Sequence, residues 1–260
     1  MRHMTDPDML PRQDFWRGEI PARPLNAQTG AMGHRVARLL RGYGSYIRSA
    51  PGTHIWLLIL FATTIALRHV SPHLEHRILE RRSTNLHYLA VSPVRVLISS
   101  AFYIAGGGWF FYFVLYNVFH VPAERWLGTL RWLLVVAIAH VGATYLSEGV
   151  LYWAIEHGHA PERARYTLDY GVSYALAGVE AVLVYLITRP WRYLYLAGLL
   201  LFYGTALLRS RDFTSVGHFS AVLLGLACYP LTRARPASWD PVASLRGLPH
   251  RLRAAWSRPA

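Results

Sequence analysis

Charge in this chain is confined to short stretches. Residues 49–67, between Arg48 and Arg68, contain no Asp, Glu or Arg, and neither do residues 96–123, between Arg95 and Glu124. A helix needs about 20 predominantly apolar residues to cross a bilayer. Further apolar blocks lie at 132–153, 170–188, 193–208 and 213–232, with Glu148 inside the third span and Glu180 inside the fourth. Charged residues make up 16% of the chain, against about 25% in soluble domains. The expected fold class is therefore all-α: a polytopic membrane protein with a bundle of six transmembrane helices.

The blocks divide the chain into a tail at 1–50, a membrane domain at 51–232 and a second tail at 233–260. Within 33–48, Val36, Leu40, Tyr43 and Ile47 share one helical face, as in a helix lying on a membrane surface. The first apolar run begins near residue 53 with no small-residue cleavage site after it, so a secretory signal peptide is not expected. The net charge is +13 and all 27 basic residues are Arg. Six spans put both ends on one side, and placing both in the cytoplasm puts 18 of the 27 Arg there. The positive-inside rule favours that orientation, in the plasma membrane. The basic excess then implies contact with anionic membrane lipids. No soluble module is present to offer it to nucleic acid.

Ionisable residues at membrane depth are functional candidates. Here they are His140 and Glu148 in the third span, Glu180 in the fourth and His218 in the sixth. His140 and Glu148 share nearly one face and can form a polar lock between helices or part of a proton path; Glu180 lies beneath Ser173. Ser173 and His218 each stand about one turn inside the same end of the bundle. Gly171, Ala177 and Gly178 surround Ser173, and Ala221 and Gly225 share the face of His218. Small faces let helices approach closely, and a histidine in contact is the usual way to activate a serine. Cys228 has no partner cysteine and reads as a small buried hydrophobe. The Glu156-His157-x-His159 stretch reads as a solvated loop; no zinc motif, nucleotide loop or cofactor fingerprint is present, and no cofactor or metal is expected.

Three segments resemble the rhomboid intramembrane serine proteases. Glu124-Arg125-Trp126-Leu127-Gly128 matches the family's acidic residue and glycine after the second span. Gly171-Val172-Ser173, with Gly178, matches the nucleophile motif, and His218, Ala221 and Gly225 match that of the sixth span. The resemblance covers roughly residues 53–232. It implies a six-helix rhomboid-like bundle in which Ser173 is the nucleophile and His218 the general base, cleaving transmembrane protein substrates.

The chain also departs from the family. The second-span positions that carry oxyanion-binding histidine and asparagine fall near Gly108 and Tyr112. Tyr174 stands where a glycine usually follows the nucleophile, and ERRSTNLHYLAVSP has no clear counterpart of the family's Trp-Arg pair. His140, Tyr103 or Tyr112 could supply the missing donor. The run Gly106-Gly107-Gly108 suggests a close helix contact or a loosened second span. Two other readings stay open: an inactive rhomboid-like protein that binds the transmembrane helices of client proteins, and a proton-coupled transporter using His140, Glu148 and Glu180.

Overall fold

The computed structural model of the protein describes residues 41–104, 108–210 and 212–246. Of the expected surface helix, residues 41–48 are helical; the rest of it, and Gly106 and Gly107, lie outside the described residues. The bundle is formed by the unit Gly44–Arg258.

Helix α1 spans Pro51–Arg68. Proline is tolerated at its first position because that amide has no intrahelical partner. Three short helices come next: α2 (Pro72–Arg82), α3 (Leu86–Val91) and α4 (Pro93–Ser100). Ser71 caps α2 by accepting from the Leu74 amide at 3.3 Å, and Asn85 caps α3 by accepting from Tyr88 at 3.0 Å. The next helical run consists of α5 (Trp109–Leu115), a π-helical turn (Tyr116–His120) and α6 (Val121–Leu127). Helix α7 (Thr129–Glu156) is 28 residues long, roughly 42 Å. Helix α8 (Gly171–Val182) continues in a 3-10 turn to Tyr185. Helices α9 (Trp191–Ser210) and α10 (Phe213–Ala227) complete the bundle, with a last 3-10 turn at Tyr229–Thr232. Among the described residues there is no β-strand, and the all-α fold class stands.

Helices α1, α7 and α9 are long and apolar enough to cross a membrane; Gly171–Tyr185 and Phe213–Ala227 are shorter apolar helices. The second apolar block is placed differently from expectation. Its first residues belong to α4, and the helical run begins again only at Trp109. Hydropathy registers the apolar length of 96–123 and is blind to the break in the helix at residues 101–104.

The centre of the bundle is α7, α8 and α10, and small residues set their spacing. A Cβ on Gly178 would overlap Ala139 of α7, and one on Gly225 would overlap the Gly178 carbonyl and stand 2.8 Å from the Ala181 Cβ. Every residue of α8 except Ser173 is buried, whereas in α9 the one buried residue described is Leu199. The segment after the last span, expected as part of a tail, is bound to the body. The Trp239 amide donates to Leu186 at 3.2 Å, the Thr188 amide donates to Trp239 at 3.0 Å, and Trp126 Nε1 donates to Pro236 at 3.0 Å.

The Glu124–Gly128 motif has a structural task. Helix α1 has no side-chain cap of its own. The buried Glu124 carboxylate supplies one, accepting from the Gly52 and Thr53 amides at 2.8 and 2.7 Å and from the Thr53 and Thr129 hydroxyls at 2.7 and 2.8 Å. It satisfies amides that helix geometry leaves open and puts negative charge at the positive end of the dipole. Arg125 is exposed. Gly128 has φ +85°, which glycine adopts without strain, and it turns the chain from α6 into α7.

Candidate active site

Ser173 is the third residue of α8. Gly171 begins that helix pressed against the His140 ring, where a Cβ would overlap the imidazole. The approach is fixed from the loop side. The Asp169 amide donates to Ser83 Oγ at 2.7 Å, and the Thr84 amide donates to the Asp169 carbonyl at 3.0 Å. The Thr84 hydroxyl reaches Asp169 Oδ2 at 3.3 Å. Ser83, Thr84 and Asn85 are completely buried. Burial pushes the Asp169 carboxyl up to about 6, partly offset by hydrogen bonds from Tyr174 and Thr84.

His218 lies on α10, whose first turn is capped by Asp212 accepting from the Ser215 amide at 2.6 Å. Its ring has Tyr174 edge-on at 5.0 Å and Tyr203 at 6.1 Å. Tyr174 is fully buried against Gly217, where a Cβ would come within 2.5 Å of the phenol. The glycine on α10 thus admits the bulk that follows Ser173 on α8.

Ser173 and His218 line one cavity of about 660 Å³, together with Tyr112, Phe119, Glu180 and Tyr203. A second cavity of about 230 Å³ extends from Ser173 and Tyr112 towards Gly108, Asp169 and Thr214. Ser173 and Tyr112 border both. The Ser173 hydroxyl donates to the Tyr170 carbonyl at 3.5 Å. Among the described residues it makes no hydrogen bond to His218. Catalytic hydrogen bonds are often long before substrate binds.

The structure therefore brings together Ser173, His218, Tyr112, Gly108 and Glu180. It sets His140 apart: its Nε2 donates to the Leu97 carbonyl at 2.8 Å, and its ring lines a different groove. Glu148 is buried with neither carboxylate oxygen hydrogen-bonded among the described residues. Glu180 is an anchor for α9. Its Oε2 accepts from Tyr203 at 2.8 Å, and its carbonyl accepts from Tyr195 at 3.0 Å. In the loop read as solvated, Glu156 pairs with Arg165 at 2.8 Å.

Sequence reasoning missed the Ser83-Thr84-Asn85 clamp, although Ser-Thr-Asn before an apolar run is a helix-start signal. It also missed Tyr195 and Tyr203, which look like ordinary aromatic residues of an apolar span. His120, which accepts from Trp132 Nε1 at 3.2 Å among Trp56 and Tyr116, carried no signal of spacing.

An all-α bundle of apolar helices, several of them long enough to cross a membrane, defines a multi-pass membrane protein, and a serine and a histidine line one of its cavities. Residues 45–238 match the family described as rhomboid-like protein, and the chain belongs to that family. Neither a curated protein nor a solved structure matches it.

Proposed function

We propose that the protein is an intramembrane serine protease with six spans, in the plasma membrane with both termini in the cytoplasm, cleaving transmembrane protein substrates through Ser173 and His218. The observation that supports this most is that these two residues, on α8 and α10, border the same cavity. A substrate helix enters between α5 and α9, whose residues Phe111 and Phe202 line that cavity. His218 takes the Ser173 proton as Oγ attacks the peptide carbonyl carbon. The Tyr112 hydroxyl, which borders both cavities with Ser173, donates to the developing oxyanion, and Tyr103 on the smaller cavity is the alternative donor. His218 returns the proton to the leaving amine, then takes one from water as that water attacks the acyl-enzyme. Water arrives through the smaller cavity at Asp169 and Thr214.

A second reading has its own support. Ser173 bonds to Tyr170 and, among the described residues, not to His218, and Gly108 has no side-chain donor, which suits a protein that holds client helices without cutting them. The proton-path reading has less: Glu180 and His140 line separate cavities.

The purified protein is to be incubated with a model transmembrane substrate and, separately, with a fluorophosphonate probe. Cleavage and labelling that vanish in Ser173→Ala and His218→Ala support the protease. Substrate retained uncut, with the same affinity in Ser173→Ala, supports the binder. Cleavage that survives Ser173→Ala sinks the dyad. Removing an oxyanion donor costs about 10²–10³ in rate, so Tyr112→Phe is expected to lower kcat by that order with little change in KM.

A further inference from the structure

Two features outside the cavities that Ser173 lines are not used by the proposed proteolysis. The first is a cavity of about 220 Å³ lined by Ile78, Arg81, Arg82 and Arg95. All three arginines are exposed, and among the described residues none of them has a carboxylate at ion-pair distance. Arg81 and Arg82 stand in the last turn of α2, where a helix dipole favours cations. That accounts for two of them and leaves Arg95. It is the third residue of α4, at the positive end of its helix, facing two like charges across the cavity. The arrangement is also held in place: Ser99 Oγ of α4 donates to the Arg82 carbonyl at 3.2 Å, and Asn85 Nδ2 donates to the Glu80 carbonyl at 3.0 Å. Three arginines around one space, on helices whose backbones are tied together, favour an anion with several acceptor oxygens.

The second feature is an apolar groove of about 400 Å³ between α1, α4 and α7, lined among others by Ile59, Leu97, Ile98, Phe102, Val136 and Ala137. Leu97 and Ile98 follow Arg95 by two and three residues on the same short helix, so groove and arginine cavity are about 3–5 Å apart along its axis. Along α7 the groove lining runs from Thr129 to Val141, roughly 18 Å. One leaflet of hydrocarbon is about 15 Å deep. Val91, Val94 and Ile98 are exposed beside Arg95, an apolar stripe next to a cationic pocket.

We propose that Arg81, Arg82 and Arg95 bind the phosphate of an anionic membrane phospholipid, one of whose acyl chains lies in the groove between α1, α4 and α7. The charge of the pocket selects an anionic headgroup over a zwitterionic one. The leaflet-length groove one turn away selects a lipid over a free phosphate. The bound lipid would tie α2 and α4 to α1 and α7 and so steady the Ser83–Asn85 clamp that holds Asp169.

Native mass spectrometry on the full chain in detergent tests this with dioleoyl-phosphatidylglycerol, dioleoyl-phosphatidylcholine, dihexanoyl-phosphatidylglycerol and inorganic phosphate. The dioleoyl anionic lipid is expected to bind at least about tenfold more tightly than either other lipid, and phosphate is expected not to displace it. Arg95→Gln should weaken that binding about fivefold. Ala137→Phe, which fills the groove at an exposed position, should weaken dioleoyl binding and leave dihexanoyl binding as it was. Equal binding of phosphatidylcholine overturns the proposal. So does binding unchanged in both variants. Displacement by phosphate together with equal binding of the two phosphatidylglycerols would show a site for a free anion, which also overturns it. Neither variant touches the Ser173 cavity, so the outcome leaves the protease reading to its own experiment.

Discussion

Helices α8 and α9 are consecutive in the chain and face the same cavity, yet they are built in opposite ways. Helix α8 is buried along its length apart from Ser173, and Gly178 brings it against α7 and α10. Helix α9 buries Leu199; it is joined to α8 through the bonds of Tyr195 and Tyr203 to Glu180, and at its first turn Arg192 donates to the Val184 and Tyr185 carbonyls of the 3-10 extension. In a bilayer, apolar exposure carries no penalty, and helix association rests on close packing and hydrogen bonds. Ser173 therefore stands on the tightly packed element, and the more exposed one lines the same cavity. For the proposed protease, that would give a preorganised nucleophile and a yielding entrance.

The sharpest way to break this contrast is to put the same bulk on each side. Gly225→Leu must drive α10 away from the Gly178 carbonyl, and it is expected to cost more than about 3 kcal/mol, read as a fall in unfolding temperature in detergent. On α9, a Cβ at Gly198 meets nothing within 4 Å. Gly198→Leu is expected to leave stability unchanged or raise it by about 0.5–1 kcal/mol through helix propensity, while it narrows the cavity and slows cleavage. If both substitutions destabilise equally, the two helices do not differ as described.

The second test concerns pH. Asp169, just ahead of α8, has a carboxyl raised by burial to about 6 from an ordinary value of 3.8. The folded state then holds a proton that the unfolded state has released. Stability falls as pH rises from about 4 to about 6, by about 3 kcal/mol from this group. Asp169→Asn should flatten that slope and leave the protein more stable above pH 6, measured by thermal unfolding across the range. A slope that persists in the variant places the titrating group elsewhere.

The smallest effect expected is at the link to α9. Tyr203→Phe removes the bond to Glu180, worth about 0.6 kcal/mol by the average for such bonds in a membrane protein. Hydrogen exchange should speed up in α9 and stay unchanged in α8; equal acceleration in both would mean that α9 is no more loosely held than its neighbour.

The apolar blocks made the helices legible, and the shared depth and small neighbours of Ser173 and His218 placed both around one space. The rest was hidden for a common reason. The second block looked like one long span because Val96–Ser100 is as uncharged as the residues after it, and a break in the helix costs nothing in hydropathy. The clamp on Asp169 joins residues 86 positions apart, and the Glu180 anchor depends on tyrosines whose hydroxyls have no periodicity of their own. His140 resembled a site residue because a histidine in a span is costly. The structure gives its Nε2 the Leu97 carbonyl and places its ring in a groove that Ser173 does not line.

The cap on α1 has a consequence for the order of assembly. The amides of Gly52 and Thr53 find their acceptor in a residue up to 72 positions later. A ribosome adding about 5–20 residues per second delivers Glu124 about 4–14 s after Gly52. For that interval α1 has an open end. It closes when α6 arrives, so the nascent chain completes α1 only by pairing it with α6.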